Sequence, residues 1–442
     1  MEDLTAKPER ASAFDMHHAP PNEIIEQCVH CGFCLPVCPT YVLWGQEMDS
    51  PRGRIYLMKM ASEGAAEMNS TWVSHFDRCL GCMACMTACP SGVDYGKLIE
   101  ATRAQIERKT ERSRGEKLHR RFMFGIFTRP DRLRRMRLPL LAYQKSGLQA
   151  IVRGLRLLKL LPKKMQAMEG LLPKLGTREA VAEVTPAAGA KRRRVGLLLG
   201  CVQREFVPQV NAATVRVLTA EGCEVVAPQA QPCCGALLMH AGEEAAAMEL
   251  AKRTIDAFEP ADVDTIVTNA AGCGSNVKEY GHLLRDDPEY AGRARAFAAK
   301  CKDISEVLAS LEPRATRQRL TLRVAYHDSC HLQHAQGVRS QPRVLLSSIP
   351  GLELVEIPEA AICCGSAGIF NLVQPDAANE LGDRKAGLIA PLKADVVATG
   401  NPGCLLQMQS ALTRRGQKIP VVHTIQLVDA SIRGESIESL RS

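Results

Sequence analysis

The sequence predicts an α+β multidomain protein, a helical metal-binding domain followed by two repeated α/β domains, and three observations carry that reading. Eight cysteines form two copies of one run, Cys28-x2-Cys31-x2-Cys34-x3-Cys38-Pro39 and Cys79-x2-Cys82-x2-Cys85-x3-Cys89-Pro90. A second set recurs in tandem: Cys201, Cys233-Cys234-Gly235 and Cys273, then Cys330, Cys363-Cys364-Gly365 and Cys404. The intervals are 32 and 39 residues in the first unit and 33 and 40 in the second, which random placement does not reproduce. Around these cysteines, short β-branched runs alternate with helical stretches, the pattern of a parallel α/β sheet.

At 442 residues the chain is too long for one core. Residues 1–21 read as a disordered leader that lacks the apolar stretch of a secretory signal. Residues 22–100 hold both cysteine runs. Their spacing is that of bacterial ferredoxins, in which three thiolates hold one [4Fe–4S] cluster and the fourth ligates the other. Cluster one then uses Cys28, Cys31, Cys34 and Cys89, and cluster two Cys38, Cys79, Cys82 and Cys85. This makes the segment a helical ferredoxin-like two-cluster domain. A disulfide framework or a zinc site is the plainer alternative. Zinc needs only two close pairs per site and leaves the third cysteine and the proline unexplained. Cysteines kept in ligand spacings point to a reducing compartment. Between the runs, Ser50 and Pro51 suit the N-cap and first position of a helix. The following Arg52 and Arg54 could donate to cluster or thiolate charge, pair with a partner carboxylate, or form a solvated first turn.

Residues 101–190 read as a basic helical segment and linker. From Arg103 to Lys164 there are nineteen Lys and Arg against four Asp and Glu, while the whole chain has a net charge of +8. Such a block attracts an acidic surface. Leu148, Ile151, Val152 and Leu155 share one helical face. An acidic partner subunit, a membrane interface and plain solvent are all compatible with it. No run approaches eighteen apolar residues, so nothing spans a membrane as a helix. Thr185–Ala190 reads as the linker.

Residues 191–312 and 321–442 form the first and second Cys-Cys-Gly domains. In each unit a first strand (around Arg194–Leu199 and Leu322–Tyr326) runs into the first cysteine. A second (Cys223–Val226 and Leu352–Val355) leads to the Cys-Cys-Gly turn, and a third (Thr265–Thr268 and Asp395–Thr399) ends just before the last cysteine. Ligand sites in such sheets lie beyond the carboxyl ends of the strands. Cys201, Cys233, Cys234 and Cys273 therefore converge on one rim, and Cys330, Cys363, Cys364 and Cys404 on the other, as candidate metal ligands. Buried small hydrophobes or a metal-free redox dithiol are the alternatives. Gly235 and Gly365 suit a tight turn letting backbone approach a cluster. Cys223 and Cys301 fall outside the repeat as core residues. His327, His331 and His334 flank Cys330 and read as hydrogen-bonding groups near the site rather than ligands. No dinucleotide or P-loop fingerprint occurs, so the chain shows no flavin, nicotinamide or nucleotide site, and nothing suggests nucleic-acid binding.

Several stretches carry a family resemblance: Cys28-Val-His-Cys-Gly-Phe-Cys34, Cys38-Pro-Thr-Tyr41, Pro51-Arg-Gly-Arg-Ile-Tyr-Leu57, Val277-Lys-Glu-Tyr-Gly281, Leu332-Gln-His-Ala-Gln336 and Cys363-Cys-Gly-Ser-Ala-Gly368. With two ferredoxin runs and two Cys-Cys-Gly units, the chain resembles the iron–sulfur subunits of flavin-dependent 2-hydroxyacid and glycerol-3-phosphate dehydrogenases, and heterodisulfide-reductase subunits. It is most similar to the glycolate oxidase (glycolate dehydrogenase) iron–sulfur subunit. The resemblance implies an oxidoreductase subunit with two [4Fe–4S] clusters, one or two further iron–sulfur clusters in the Cys-Cys-Gly domains, and no catalytic residue of its own. A partner FAD subunit, with a second flavin-type subunit, would oxidise glycolate to glyoxylate. Electrons would pass through this chain to a quinone or other membrane acceptor. The implied location is cytoplasmic, peripheral on the inner face of the plasma membrane. Lactate or glycerol-3-phosphate oxidation, or a heterodisulfide-reductase-like catalytic subunit, are the rival readings. The fullest form of the Cys-Cys-Gly motif ends in Cys-x2-Cys. Here Ala270 and Asn401 replace the first of that pair, so four thiolates remain per unit. Four still suit a cubane, whereas the non-cubane cluster and disulfide chemistry of the relatives lose support.

Overall fold

The computed structural model describes residues 11–155, 157–176 and 179–436. They divide into two compact units. The first extends to Lys117 and takes in His240–Glu244, and the second holds Leu118–Met239 and the chain from Ala245 onward.

The first unit is helical. Helix Pro51–Ser62 begins where the sequence suggests, with Pro51 in its first turn and Ser50 Oγ accepting from the Gly53 amide at 3.0 Å. Asn69 and Asp94 cap helices Ser70–Asp77 and Tyr95–Lys109 in the same way. Met58, Phe76, Leu98, Ile99 and Ile106 project into one dry core. Helix Tyr95–Lys109 therefore crosses the expected boundary at residue 100, because its apolar face has no other core to enter. The expected disordered leader is also corrected in part. Phe14 is buried with its ring 6.2 Å from Trp72. Asp15 accepts from Arg108 at 3.1 Å and from Gln105 at 2.9 Å. The Arg108 hydrogen bond holds the Asp15 carboxyl down at about 2. Residues 1–10 of that expectation lie outside the described residues.

Among the described residues the second unit contains nine strands: β1 Val184–Thr185, β2 Arg193–Leu198, β3 Cys223–Val226, β4 Thr265–Thr268, β5 Cys301–Asp303, β6 Leu322–His327, β7 Leu352–Glu356, β8 Val396–Thr399 and β9 Val421–His423. One sheet has the order β1-β3-β2-β4-β5 and the other β7-β6-β8-β9. All pairs are parallel except β1 with β3. In each sheet the first strand of the repeat is central, flanked by the second on one side and the third on the other. The strand order thus reverses beside the central strand, the kind of switch point at which α/β sheets bind ligands.

The two sheets share one core. Val195, Leu197 and Val225 of the first belong to the same buried cluster as Val324, Tyr326 and Val396 of the second. Helix Pro208–Ala220 packs on helix Thr424–Arg433, where Arg216 grips Asp429 through three contacts of 2.7–3.0 Å. Thr185, placed in the linker by sequence, instead sits in β1, and the Ala227 amide donates to Glu183 O at 2.8 Å. The short strands β5 and β9 went unread because three residues carry no usable periodicity. Cys223 and Cys301 are buried in β3 and β5, as core residues.

Much of the basic segment from residue 118 onward packs down on the first repeat. Leu133, in helix Pro130–Lys145, joins Cys201 and Cys233 in one apolar cluster. Arg137 is buried and donates to Glu205 O at 2.5 Å and to Gly176 O. Its guanidinium is a structural clamp, whereas Arg132, Arg134 and Arg135 face solvent. Among the described residues no helix is long and apolar enough to cross a membrane.

Candidate metal centres

In the first unit the two cysteine runs follow the same local backbone. His30 and Gly32 in the first run, and Gly81 and Met83 in the second, take left-handed φ values of 53°, 86°, 63° and 61°. These positions fall between successive cysteines and curl each loop inward, at a conformational cost for His30 and Met83. Cys28, Cys31 and Cys34 line an open cavity, whose lining also includes Cys85 and Cys89 from the second run. The cavity thus gathers the four residues that the crossed spacing rule groups together, with Cys85 of the other group also in its lining. Cys38, Cys79, Cys82 and Cys85 are buried, and Cys31 is exposed.

Burial pushes the Cys34 thiol up to about 11. Burial also raises Cys28, reinforced by Cys89 and Cys31, and raises Cys85, reinforced by Cys82, Cys79 and Cys38. These raised thiols stay protonated on their own, and a metal cluster would supply the positive charge that lets them ionise as ligands. Cys79 departs from the pattern. Burial raises it, but the charges of Arg54 and Arg103 outweigh that and bring it below its ordinary value.

The arginines flagged by sequence separate into two roles. Arg52 lies at the first cavity, where it pairs with Glu47 at 2.6 Å and donates to His30 O at 3.0 Å. Arg54 is 1% exposed. It donates to His75 O at 2.6 Å and with both terminal nitrogens to Thr40 Oγ1 at 3.2 Å. Thr40 Oγ1 is itself 3.2 Å from Cys38 Sγ. The buried Asp49 balances this charge and also engages His75 at 2.9 Å and Arg78 at 3.0 Å. Arg103 reaches Phe76 O at 3.1 Å and Cys79 O. Sequence reasoning missed Thr40, Asp49, His75, Arg78 and Arg103. The Pro51–Leu57 run offered a signal, and it pointed to Arg52 and Arg54.

In the second unit each strand set delivers its cysteines to the rim. Cys201 opens helix Cys201–Phe206 after β2, and Cys273 lies in helix Ala271–Lys278 after β4. Cys201 and Cys233 sulfurs are 3.3 Å apart, and Cys234 hydrogen-bonds Cys233 and Cys273. Cys330 and Cys363 sulfurs are 3.9 Å apart, and Cys364 hydrogen-bonds Cys363 and Cys404. Both expected foursomes therefore come together. Gly235 and Gly365 have φ of 85° and 91°, as a tight turn requires, but their lack of a side chain accommodates a helix rather than a cluster. A Cβ would stand 3.2 Å from Ala247 O at Gly235 and 2.6 Å from Ala378 O at Gly365.

The histidines beside Cys330 diverge. His331 and His334 lie in a π-helical turn, His331–Ala335, and are buried. His331 Nδ1 lies 2.9 Å from Ser275 Oγ, and burial drives His334 down to about 4. His327 instead ends β6 with its ring among the cysteines, Cys364 and Cys404 being within 4.8 Å. Asn401, at the replaced position, donates to Cys404 Sγ at 3.5 Å and accepts from the Gly272 amide at 3.3 Å.

Comparison with known proteins agrees with this architecture. Residues 24–93 match the 4Fe-4S dicluster domain, and residues 195–278 and 324–409 match the cysteine-rich domain twice. Residues 115–172 match the glycolate oxidase iron-sulfur subunit linker region. The chain is 42% identical over 410 residues to the probable glycolate oxidase iron-sulfur subunit of Bacillus subtilis strain 168, covering 91% of this chain and 92% of that one. It is 36% identical to the glycolate oxidase iron-sulfur subunit of Escherichia coli K12, covering 94% and 96%. Lactate utilization protein A of Geobacillus kaustophilus is 35% identical over 54% of this chain and 99% of its own.

Proposed function

Because the chain belongs to the glycolate oxidase iron–sulfur subunit family, we propose that it conducts electrons for a flavin-dependent 2-hydroxyacid dehydrogenase, with glycolate as the substrate of a separate FAD subunit. The observation that carries this is the cavity where Cys28, Cys31 and Cys34 of one run face Cys89 of the other. Those four would hold one [4Fe–4S] cluster, and Cys38, Cys79, Cys82 and Cys85 a second. A cluster so held exchanges single electrons and makes no bond to substrate.

The protein's own residues set the direction of traffic. Cys31 is exposed, and Val29 and Phe33 beside it are 68% and 65% exposed. An apolar rim around an accessible thiolate supports electron exchange with a partner at this edge. The other four cysteines are buried beside Arg54, whose charge favours the reduced state there. In the second unit, Cys201, Cys233, Cys234 and Cys273, and separately Cys330, Cys363, Cys364 and Cys404, would hold further metal. Ten of the sixteen exposed large apolar side chains among the described residues lie between 118 and 165, in the basic segment. Apolar and cationic surface together supports docking at an anionic membrane face, where a quinone would accept the electrons.

The test is the full chain purified anaerobically, alone and with its flavin partner. The expected outcome is at least about eight irons with matching acid-labile sulfide per chain, and glycolate-dependent dye reduction only when the partner is present. A colourless, iron-free chain, or glycolate oxidation by this chain alone, would refute it.

A further inference from the structure

The two repeats are alike in cysteines but not in the residue that ends their central strand. β2 and β6 are each six residues long, and each ends three residues before the first cysteine of its repeat. At that end β2 carries Leu198 and β6 carries His327, both 2% exposed. The first rim therefore offers thiolates alone, whereas the second adds an imidazole.

The spacing of these donors is informative. A nitrogen of His327 and the sulfurs of Cys364 and Cys404 all lie within 4.8 Å of one another, and all three residues are buried. His327 also hydrogen-bonds Cys404, and Cys363 hydrogen-bonds Cys364. Around one tetrahedral ion with zinc-type bond lengths, donor atoms stand about 3.5–3.8 Å apart. Thiolates on separate irons of a cubane must stand farther apart than thiolates sharing an ion. Asn401, donating to Cys404 Sγ while its own oxygen is fixed by the Gly272 amide, supplies the outer hydrogen bond that orients a ligating thiolate.

We propose that His327, Cys364 and Cys404 bind a single tetrahedral divalent cation of the zinc class, with the fourth position left to an exchangeable donor. This rests on reading the second repeat as a metal site and specifies its metal. The first repeat, with Leu198 at the matching position, lacks this nitrogen donor.

The experiment compares zinc and iron per chain in the full-length protein, His327→Leu, His327→Cys and Cys201→Ser. His327→Leu installs the residue that the matching strand already tolerates, and a thermal melt confirms its fold. The expected result is about one zinc per chain in the parent, lost in His327→Leu with iron unchanged, and kept in His327→Cys and in Cys201→Ser. Cobalt(II) loaded in place of zinc should give thiolate charge-transfer bands that His327→Leu abolishes. If His327→Leu or Cys404→Ala removes about four irons and no zinc, the metal-site reading stands and the zinc proposal falls. If neither metal changes in His327→Leu, Cys364→Ala or Cys404→Ala, both fall.

Discussion

Replacing Arg54 by Gln should lower the reduction potential of the cluster proposed on Cys38, Cys79, Cys82 and Cys85. The guanidinium is buried, and Thr40 Oγ1 stands 3.2 Å from both it and Cys38 Sγ. Nitrogen and sulfur are thus no more than about 6 Å apart, and at an effective dielectric near 20 the charge contributes about 3 kcal/mol to the cluster's extra electron. Asp49 opposes it from the same site, leaving roughly half. At about 1.4 kcal/mol per 59 mV for one electron, the loss is on the order of 50–100 mV. Asp49 keeps His75 and Arg78 as partners in the variant, so the domain should stay folded, as a circular-dichroism melt can verify. Arg54→Lys retains the charge and should restore most of the potential. The assay is an EPR-monitored redox titration that resolves the individual clusters. If Arg54→Gln left every potential within ~20 mV of the parent, or moved only the cluster at the exposed cavity, the electrostatic reasoning would be wrong.

Cys89→Ser should remove about four irons and the signal of the accessible cluster, whereas Cys85→Ser should remove the buried one; in an uncrossed arrangement both variants would lose the same cluster, which iron analysis with EPR would expose. Gly365→Ala puts a Cβ 2.6 Å from Ala378 O at a φ of 91° and should cost about 1–3 kcal/mol, read as a lower melting temperature. Burial depresses His423 to about 4, so its stabilising contribution is complete above its unfolded value near 6.5 and is lost as the pH falls towards 4. Denaturant melts should show about 2 kcal/mol less stability at pH 5 than at pH 7 from this residue, and His423→Asn, which can still cap the last helix, should flatten that slope. Charge reversal at the exposed Arg132, Arg134 and Arg135 should weaken binding to vesicles containing anionic lipid by about tenfold at 150 mM salt; unchanged sedimentation with vesicles would count against membrane docking.

The cysteine groupings were legible in one dimension because ligand spacing is a local property. A Cys-x2-Cys turn curls the same way in any fold, and an α/β repeat must deliver equivalent strand ends to equivalent rims. The strands β2, β3, β4, β6, β7 and β8 were legible for the same reason, since each has enough apolar residues to show its period. Domain edges were not. Residues 11–21 and helix Tyr95–Lys109 join the first core through Phe14, Leu98 and Ile106, and no local signal marks where a distant core will accept a side chain.

From its residues alone the chain was fixed as a carrier of clustered thiolates, because metal ligation needs particular atoms at particular separations and sequence records both. Folding alone decided which charges meet them. Arg54, Arg103, Asp49 and His327 reach the cysteines across gaps of tens of residues, and only packing excludes the water that would otherwise screen them.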